Sequence, residues 1–504
     1  MDHKKNIKKE ITNGISNVFK NIKKALKKIK INKKVGIAIL AVLLLFIIVK
    51  ILTPSSDYPK YPIVIEDVEG DLFVYGTNVK KEEDAIKIAS KGSANLVKYA
   101  HNTNRYVLFQ KEANLYLYDA RKKGETKKIL NNVSGSNYDF SEDDKYVIAL
   151  DESNNLKVYN YKDAKKVETG VKSIVAIKGD YILFEKDNDY YVRSIKPSKD
   201  DKKKVSEVSS YNISFSEDGK YIIYITKENE LHRYNIKKNK DSKISNNVTN
   251  FYCDKDDCKT MYYVFVENGK FLYYYDGKKD TRLAEDIFAV LAYDVANKKV
   301  VYSKANGNKF VLYYQKGSKD PAKIDEGLDI VKATYLVDND IYYLTADNKL
   351  KFAKISGKKI SRKLTVSSDV FGTIHEYKKG FAYITNINSN NYSGNLYLAK
   401  NGKAKKIDEK VSTNIKVNSD GTRVYYIKDF GGAGELYYTK GGKGKLVDTK
   451  VHAFQYIRDN LIYLVKDYNS SKVRGDLYRY TNKSVKIADN ITGISNIPVS
   501  YKRK

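Results

Sequence analysis

The run Tyr211-Asn-Ile-Ser-Phe-Ser-Glu-Asp-Gly-Lys-Tyr-Ile-Ile-Tyr-Ile-Thr226, continued by Lys227-Glu-Asn-Glu230 and Leu231-His-Arg-Tyr-Asn-Ile236, holds the pattern from which the fold can be worked out. Apolar and aromatic residues alternate up to Phe215, where Ser216-Glu-Asp-Gly219 interrupts them. Gly219 can adopt positive φ without steric cost, and Ser and Asp side chains bond to nearby backbone, so these four residues make a tight turn. Tyr221 to Thr226 then reads as a second strand, Leu231 to Ile236 as a third, and Ser242 to Ile244 as a weaker fourth. Parallel segments are Tyr138-Asp-Phe-Ser-Glu-Asp-Asp-Lys-Tyr-Val147 and Val417-Asn-Ser-Asp-Gly-Thr-Arg-Val-Tyr-Tyr426.

The third-strand motif returns along the chain. Its first residues are Leu72, Leu115, Leu156, Tyr190, Leu231, Leu272, Val311, Leu350, Leu396, Leu436 and Leu477, eleven anchors spaced 34 to 46 residues apart. A unit of this length made of strands and turns is the size of one four-stranded propeller blade. The fold class expected is therefore all-β, a β-propeller of four-stranded blades. Eleven units exceed the four to eight blades of an ordinary propeller, which favours two propellers, residues 61–265 and 266–497, with a break between 240 and 300. One continuous large propeller over 61–497 is the other arrangement. Tyr61-Pro-Ile-Val-Ile65 is expected to add a strand to the closing blade.

The residues Phe-Ser-Glu-Asp-Gly-Lys-Tyr-Ile followed by Leu-His-Arg-Tyr-Asn-Ile resemble the WD-like repeats of TolB-type and prolyl-oligopeptidase-type β-propellers. The resemblance covers residues 60–497 and implies an architecture. The usual Pro before Asp-Gly is replaced by Glu here, and the chain has no Trp. Prolyl-oligopeptidase relatives carry a hydrolase domain beside the propeller; here the repeats occupy the sequence to about Ile497.

Upstream of the repeats the chain changes character. Val35-Gly-Ile-Ala-Ile-Leu-Ala-Val-Leu-Leu-Leu-Phe-Ile-Ile-Val49 is uninterruptedly apolar. With residues up to Thr53 it would span roughly 28 Å as a helix, close to the hydrocarbon thickness of about 30 Å. A 34-residue basic region precedes it and Lys50 stands where a signal peptide would be cleaved, so 35–53 is expected to be a permanent transmembrane signal anchor. Residues 54–60 are then a linker and 498–504 a basic tail. Residues 1–34 contain twelve Lys against Asp2 and Glu10, ten of the net +31. Such a flank stays in the cytoplasm and places the repeats outside, at the cell membrane as a single-pass protein.

Within 1–34, Ile7, Ile11, Ile15, Val18, Ile22, Leu26 and Ile29 recur at helical spacing. Lys20, Lys23, Lys24, Lys27, Lys28, Lys30, Lys33 and Lys34 surround this stripe and are the candidates for contact with anionic inner-leaflet lipid. A merely solvated topology signal explains them equally well.

Cys253 and Cys258 are the only cysteines and frame Cys-Asp-Lys-Asp-Asp-Cys. Outside the membrane a disulfide is the first reading, ahead of free thiols and of metal binding with Asp254, Asp256 and Asp257. The doublets Tyr262-Tyr263, Tyr313-Tyr314, Tyr342-Tyr343, Tyr425-Tyr426 and Tyr437-Tyr438 could be an aromatic platform, but strand propensity explains them. Asp187-Asn-Asp189 and Asp338-Asn-Asp340 read as hairpin punctuation rather than calcium ligands. His3, His101, His232, His375 and His452 share no metal-ligand spacing, and the chain lacks nucleophile-elbow, phosphate-loop and zinc-protease motifs.

No catalytic, cofactor-binding or metal residue is therefore assigned, and no cofactor is expected. The function expected is that of a non-catalytic, membrane-anchored extracytoplasmic β-propeller that binds or scaffolds an envelope protein or an anionic cell-wall polymer. The alternative is a lyase or hydrolase whose site is assembled in the propeller channel. Basic residues are interspersed with acidic ones rather than gathered in a stripe, so nucleic acid is not an expected partner.

Overall fold

Each repeat folds into a four-stranded antiparallel meander, as the alternation between turns and strands requires. The computed structural model describes residues 62–495, apart from 77–84, 104, 122–124, 197–201, 206–207, 254–256, 357–358, 379, 419 and 459–460. The basic segment 1–34 with its lipid-contact lysines, the anchor 35–53, the linker 54–60 and the tail 498–504 lie outside the described residues. Among the described residues no helix is long and apolar enough to cross a membrane.

Sheets 2 to 8 are separate and cover residues 98–130, 133–168, 171–205, 208–245, 248–284, 287–328 and 331–367. Sheets 9, 10 and 11 follow at 370–412, 416–451 and 451–491. Here single long strands, Lys403–Ser412, Lys445–Arg458 and Ser484–Ile494, serve as the fourth strand of one sheet and run on into the next. Sheet 1 is completed from both ends of the fold. Ile63–Asp67 pairs on one side with Leu72–Tyr75 and on the other with the C-terminal strand, at Ile65↔Ile494, Glu66↔Gly493 and Asp67↔Ile491. The sequence segment expected to close the array occupies this place. Val64 N–H donates to Tyr99 Oη (2.8 Å) and Ser495 N–H to the Val64 carbonyl (3.0 Å), tying sheets 1 and 2 and the C-terminal strand together. Among the described residues this makes eleven sheets of the propeller-blade kind, and every anchor of the sequence repeat falls on a third strand.

The second strands are apolar on both sides, as in Tyr221-Ile-Ile-Tyr-Ile-Thr226, because each sheet is covered on both faces by its neighbours. Among the described residues ten buried clusters form the core. Through the stretch 240–300 they run on without interruption: Ile223, Val248, Met261 and Tyr263 join sheets 5 and 6, and Tyr262, Leu272, Ile287 and Tyr302 join sheets 6 and 7. One further cluster contains Leu477 of sheet 11, Val64 and Leu72 of sheet 1, and Val107 and Phe109 of sheet 2.

Carboxylates on fourth strands reach to the following sheet. Glu168 pairs with Lys186 (2.7 Å) and Lys202 (3.0 Å), Asp408 with Lys428 (2.9 Å), and Asp448 with Lys466 (2.9 Å). Asp325, 6% exposed, takes Lys351 (2.7 Å), Lys363 (2.9 Å) and the Tyr343 hydroxyl (2.8 Å). Burial opposes its ionisation, but the two ammonium groups and the hydroxyl outweigh it and hold the carboxyl down at about 2. The other faces of the fourth strands are exposed and rich in Lys, as in Lys403-Ala-Lys-Lys-Ile-Asp-Glu-Lys410. Such side chains protect sheet edges from pairing with other chains.

Candidate functional site

The connections between successive sheets share one end with the turns between second and third strands, and a repeated backbone device builds that end. A residue with left-handed φ precedes an apolar residue that opens or continues the next strand. Examples are Asn132-Val133, Asn247-Val248, Asp286-Ile287, Asp369-Val370, Lys410-Val411, Lys450-Val451 and Asn490-Ile491, whose first residues have φ of 50–55°. Asn and Asp tolerate this conformation better than other side-chain-bearing residues. The apolar residue turns its N–H to a carbonyl of the preceding sheet's second turn, as Val248 does to Asn229 (2.7 Å) and Val370 to Asn348 (2.9 Å). The left-handed residue presents its own carbonyl to the following sheet, as Asp369 does to Asn386 N–H (3.3 Å) and Lys410 to Asp429 N–H (3.0 Å). The connections that make both bonds are thus clamped between two hairpins.

Two features make this end uneven. Large apolar side chains stand exposed at the starts of three successive sheets: Phe288 (53%), Ile330 (52%) and Phe371 (43%). The Phe288 ring lies 4.5 Å from that of Phe310 on the same sheet. Secondly, sheets 9, 10 and 11 carry longer second-to-third hairpins, around Asn388–Ser393, Asp429–Gly434 and Asn469–Arg474, which bear the exposed Tyr392 and Val473. Phe430 of the second hairpin, His452 of sheet 11 and Tyr468 at the base of the third stand in a row. Ring centroids are 5.9 Å and 3.7 Å apart, and His452 Nδ1 lies 2.6 Å from the Gly432 carbonyl.

Between the first two long hairpins lies a groove of about 650 Å³. One wall presents Asn386, Asn388, Asn391 and Asn395, and the other Asp429, Phe430 and Gly431, with Glu409 and Lys410 also lining it. The Asn388 Oδ1 accepts the Asn390 N–H (2.9 Å), and the Asn391 Oδ1 accepts the Ser393 N–H (3.2 Å) and hydroxyl (2.8 Å). A Cβ on Gly394 would meet the Thr385 carbonyl at 2.4 Å, so only glycine lets the two strands cross there.

The opposite end is built from the Ser-Glu-Asp-Gly type of turn. A cleft of about 750 Å³ there is lined by Glu142, Asp143, Asp180 and Asp218 among others. The Ser141 and Ser216 hydroxyls donate to Asp143 (2.8 Å) and Asp218 (2.7 Å), while Glu142 holds Lys178 (2.9 Å). Three of these carboxylates are thus engaged in shaping turns and joining sheets.

The residues singled out in the sequence distribute as follows. Cys253 and Cys258 stand with Cα atoms 5.4 Å apart, a separation that suits the expected disulfide. Among the described residues no three His, Cys, Asp or Glu gather as a metal site. Both members of Tyr262-Tyr263, Tyr342-Tyr343 and Tyr425-Tyr426 are buried, because both faces of a sheet are core, so these doublets form no exposed platform. Asp187-Asn188 and Asp338 occupy hairpin turns with φ of 52–61°. His101 is raised by Asp139 (3.4 Å), whereas burial lowers His375. His232 lies between Asp241 (2.7 Å) and Glu230 (3.3 Å), and Tyr224 Oη donates to the same Asp241 (2.7 Å). Burial disfavours the His232 cation, but the two carboxylates outweigh it and raise its pKa. The long hairpins were not singled out in the sequence. That of sheet 9 leaves a signal there, the 46-residue spacing between Leu350 and Leu396, the largest of the series.

No family model and no curated protein matches the chain. Among solved structures it is similar to a eukaryotic initiation factor, at 11% identity over 87% of this chain and 99% of the other, with a TM-score of 0.44. It is also similar to the tricorn protease, at 12% identity, 86% and 59% coverage and a TM-score of 0.29. A third is the β-propeller domain of the trilobed protease from Pyrococcus furiosus, at 11% identity, 62% and 96% coverage and a TM-score of 0.28. The chain spans 59% of the tricorn protease. At these scores the likenesses add nothing to the sheet order, on which the assignment of fold rests.

Proposed function

We propose that this chain is a membrane-anchored extracytoplasmic β-propeller, its WD-like blades of the TolB type set in one ring, and that it binds a protein of the cell envelope without catalysing a reaction. The observation that carries this is the exposure of Phe288, Ile330 and Phe371 on consecutive sheets of one end. Large apolar side chains exposed on neighbouring sheets of one end are the kind of surface that a protein interface covers. Core clusters that link each sheet to the next, from sheet 1 round to sheet 11 and back, support the single ring over two propellers. The apolar run 35–53 behind its lysine-rich flank supports the tether, which raises the local concentration of a partner in the same envelope so that modest affinity suffices. Lysines on exposed fourth strands account for basic charge through edge protection, so the patch favours a protein over an anionic wall polymer.

The test is crosslinking of the full chain in its own membranes, beside the Phe288→Ser and Phe371→Ser variants. A specific crosslinked protein lost in both variants, with folding intact, is the expected result. Capture that is indifferent to both substitutions would refute the assignment of the face. Turnover of a small substrate, abolished by replacing one channel carboxylate or His, would instead establish the lyase or hydrolase alternative.

A further inference from the structure

We propose that the groove between the long hairpins of sheets 9 and 10 is a binding site for an uncharged oligosaccharide. This rests on the reading above only in taking the same end as the recognition end; the groove is separate from the apolar patch of sheets 7 to 9. A sugar ring combines a flat C–H face with hydroxyls that each donate and accept. A site for it needs planar groups offering donor and acceptor side by side, and an aromatic ring. Four carboxamides, Asn386, Asn388, Asn391 and Asn395, line the groove, each with an NH₂ and a carbonyl oxygen in one plane. The turns take the Oδ1 atoms of Asn388 and Asn391, so the amide nitrogens are the donors left for ligand hydroxyls.

Phe430 supplies the aromatic wall, and His452 and Tyr468 extend it beyond the groove toward sheet 11. The volume of about 650 Å³ falls within the range of small-ligand sites. Charge selects within the class. Each cation at the groove is already held by a carboxylate, Lys406 by Glu409 (3.2 Å) and Lys410 by Asp429 (3.6 Å), so little positive charge is left to attract a polyanion. The walls are also preformed, because Asp429 is clamped to the Lys410 carbonyl and Gly394 fixes the crossing beneath Asn395.

The experiment is calorimetric titration of the detergent-purified full chain with three probes: a β-linked glucose tetramer, a β-linked N-acetylglucosamine tetramer and a glycerol phosphate oligomer. Saturable binding of at least one neutral tetramer and none of the anionic oligomer is expected. Asn388→Asp, whose carboxylate still accepts the Asn390 N–H, and Phe430→Ala should each weaken binding at least tenfold, whereas Phe288→Ser should leave it unchanged. No binding of either neutral tetramer at about 10 mM, equal binding by both groove variants, or preference for the anionic oligomer would overturn the proposal. Loss of the protein crosslink in Phe288→Ser without tetramer binding would sink the groove alone. Tetramer binding without a patch-dependent crosslink would sink the protein-partner reading alone.

Discussion

Truncation of Ile65 to Ala tests whether the pairing between the first and last strands holds the array closed. Ile65 is 1% exposed, lies opposite Ile494 and belongs to the cluster shared by sheets 11, 1 and 2. The substitution removes three buried carbons, about 2.4 kcal/mol at roughly 0.8 kcal/mol per methylene, and the cavity brings the cost to about 2–4 kcal/mol. Sheets that touch only their neighbours distribute such a loss locally. Here the neighbours are the first and last sheets of the array. Hydrogen exchange followed by mass spectrometry should therefore show faster exchange in 63–75 and 484–494 together, by about 30-fold to 1000-fold if the full cost appears in the opening equilibrium. Ile341→Ala, also at a fully buried second-strand position, should accelerate only sheets 7 and 8. If 63–75 opened faster in Ile65→Ala while 484–494 kept its protection, the pairing would be a contact without energetic coupling, and the closed-ring reasoning would fail.

Three other perturbations bear on separate parts of the argument. Asp325→Asn should destabilise sheets 7 and 8 by about 2 kcal/mol at neutral pH, from the gap between an ordinary carboxylate and one held near 2. Because the folded pKa is depressed, this stabilisation is complete above about pH 4 and lost as pH falls toward 2, so exchange in 322–363, corrected for intrinsic rates, should converge between variant and parent in acid; a constant difference would contradict the assignment. Lys450→Gly should raise the melting temperature by relieving a left-handed residue (φ 55°) at a connection, a gain of up to about 1 kcal/mol, and a fall would show that the Lys450 side chain contributes more than its backbone costs. Cys253 and Cys258, whose Cα separation of 5.4 Å suits a disulfide, should be recovered from native membranes as a peptide two hydrogens lighter; alkylation of both without reductant would show free thiols.

The sheets were legible in the sequence because their turns use residues with few substitutes. Ser216-Glu-Asp-Gly219 and the Leu231 anchor each mark a strand end, and eleven repetitions of the anchor supply the register. A second periodic signal, the left-handed residue before Val or Ile as in Asn247-Val248, runs through the same sequence and marks the connections instead. The groove was not legible, since hairpin length changes without changing alternation. Sheet 9 betrays its long hairpin through the 46-residue spacing, but sheets 10 and 11 hide theirs. The long strands Lys403–Ser412 and Lys445–Arg458 between their anchors pass from one sheet to the next, so residues spent on hairpins leave the anchor spacing near 40.

The tyrosine doublets are strand residues, as their propensity implies, and the sequence says less about which face each one occupies. Alternation says only that adjacent side chains point to opposite faces of a strand. Whether a face meets solvent depends on the neighbouring sheet, and here both faces meet one, so Tyr342 and Tyr343 are buried alike. Three exposed aromatics lie instead at strand starts and on hairpins, Phe288, Phe371 and Tyr392, whereas Tyr293 is exposed within its strand. Their surroundings follow from the clamp at the connections, which fixes the backbone while leaving the next side chain free to vary. A repeat of this kind can therefore hold its core constant and differ from sheet to sheet only along one end, and that end is where Asn, Phe and long hairpins have accumulated.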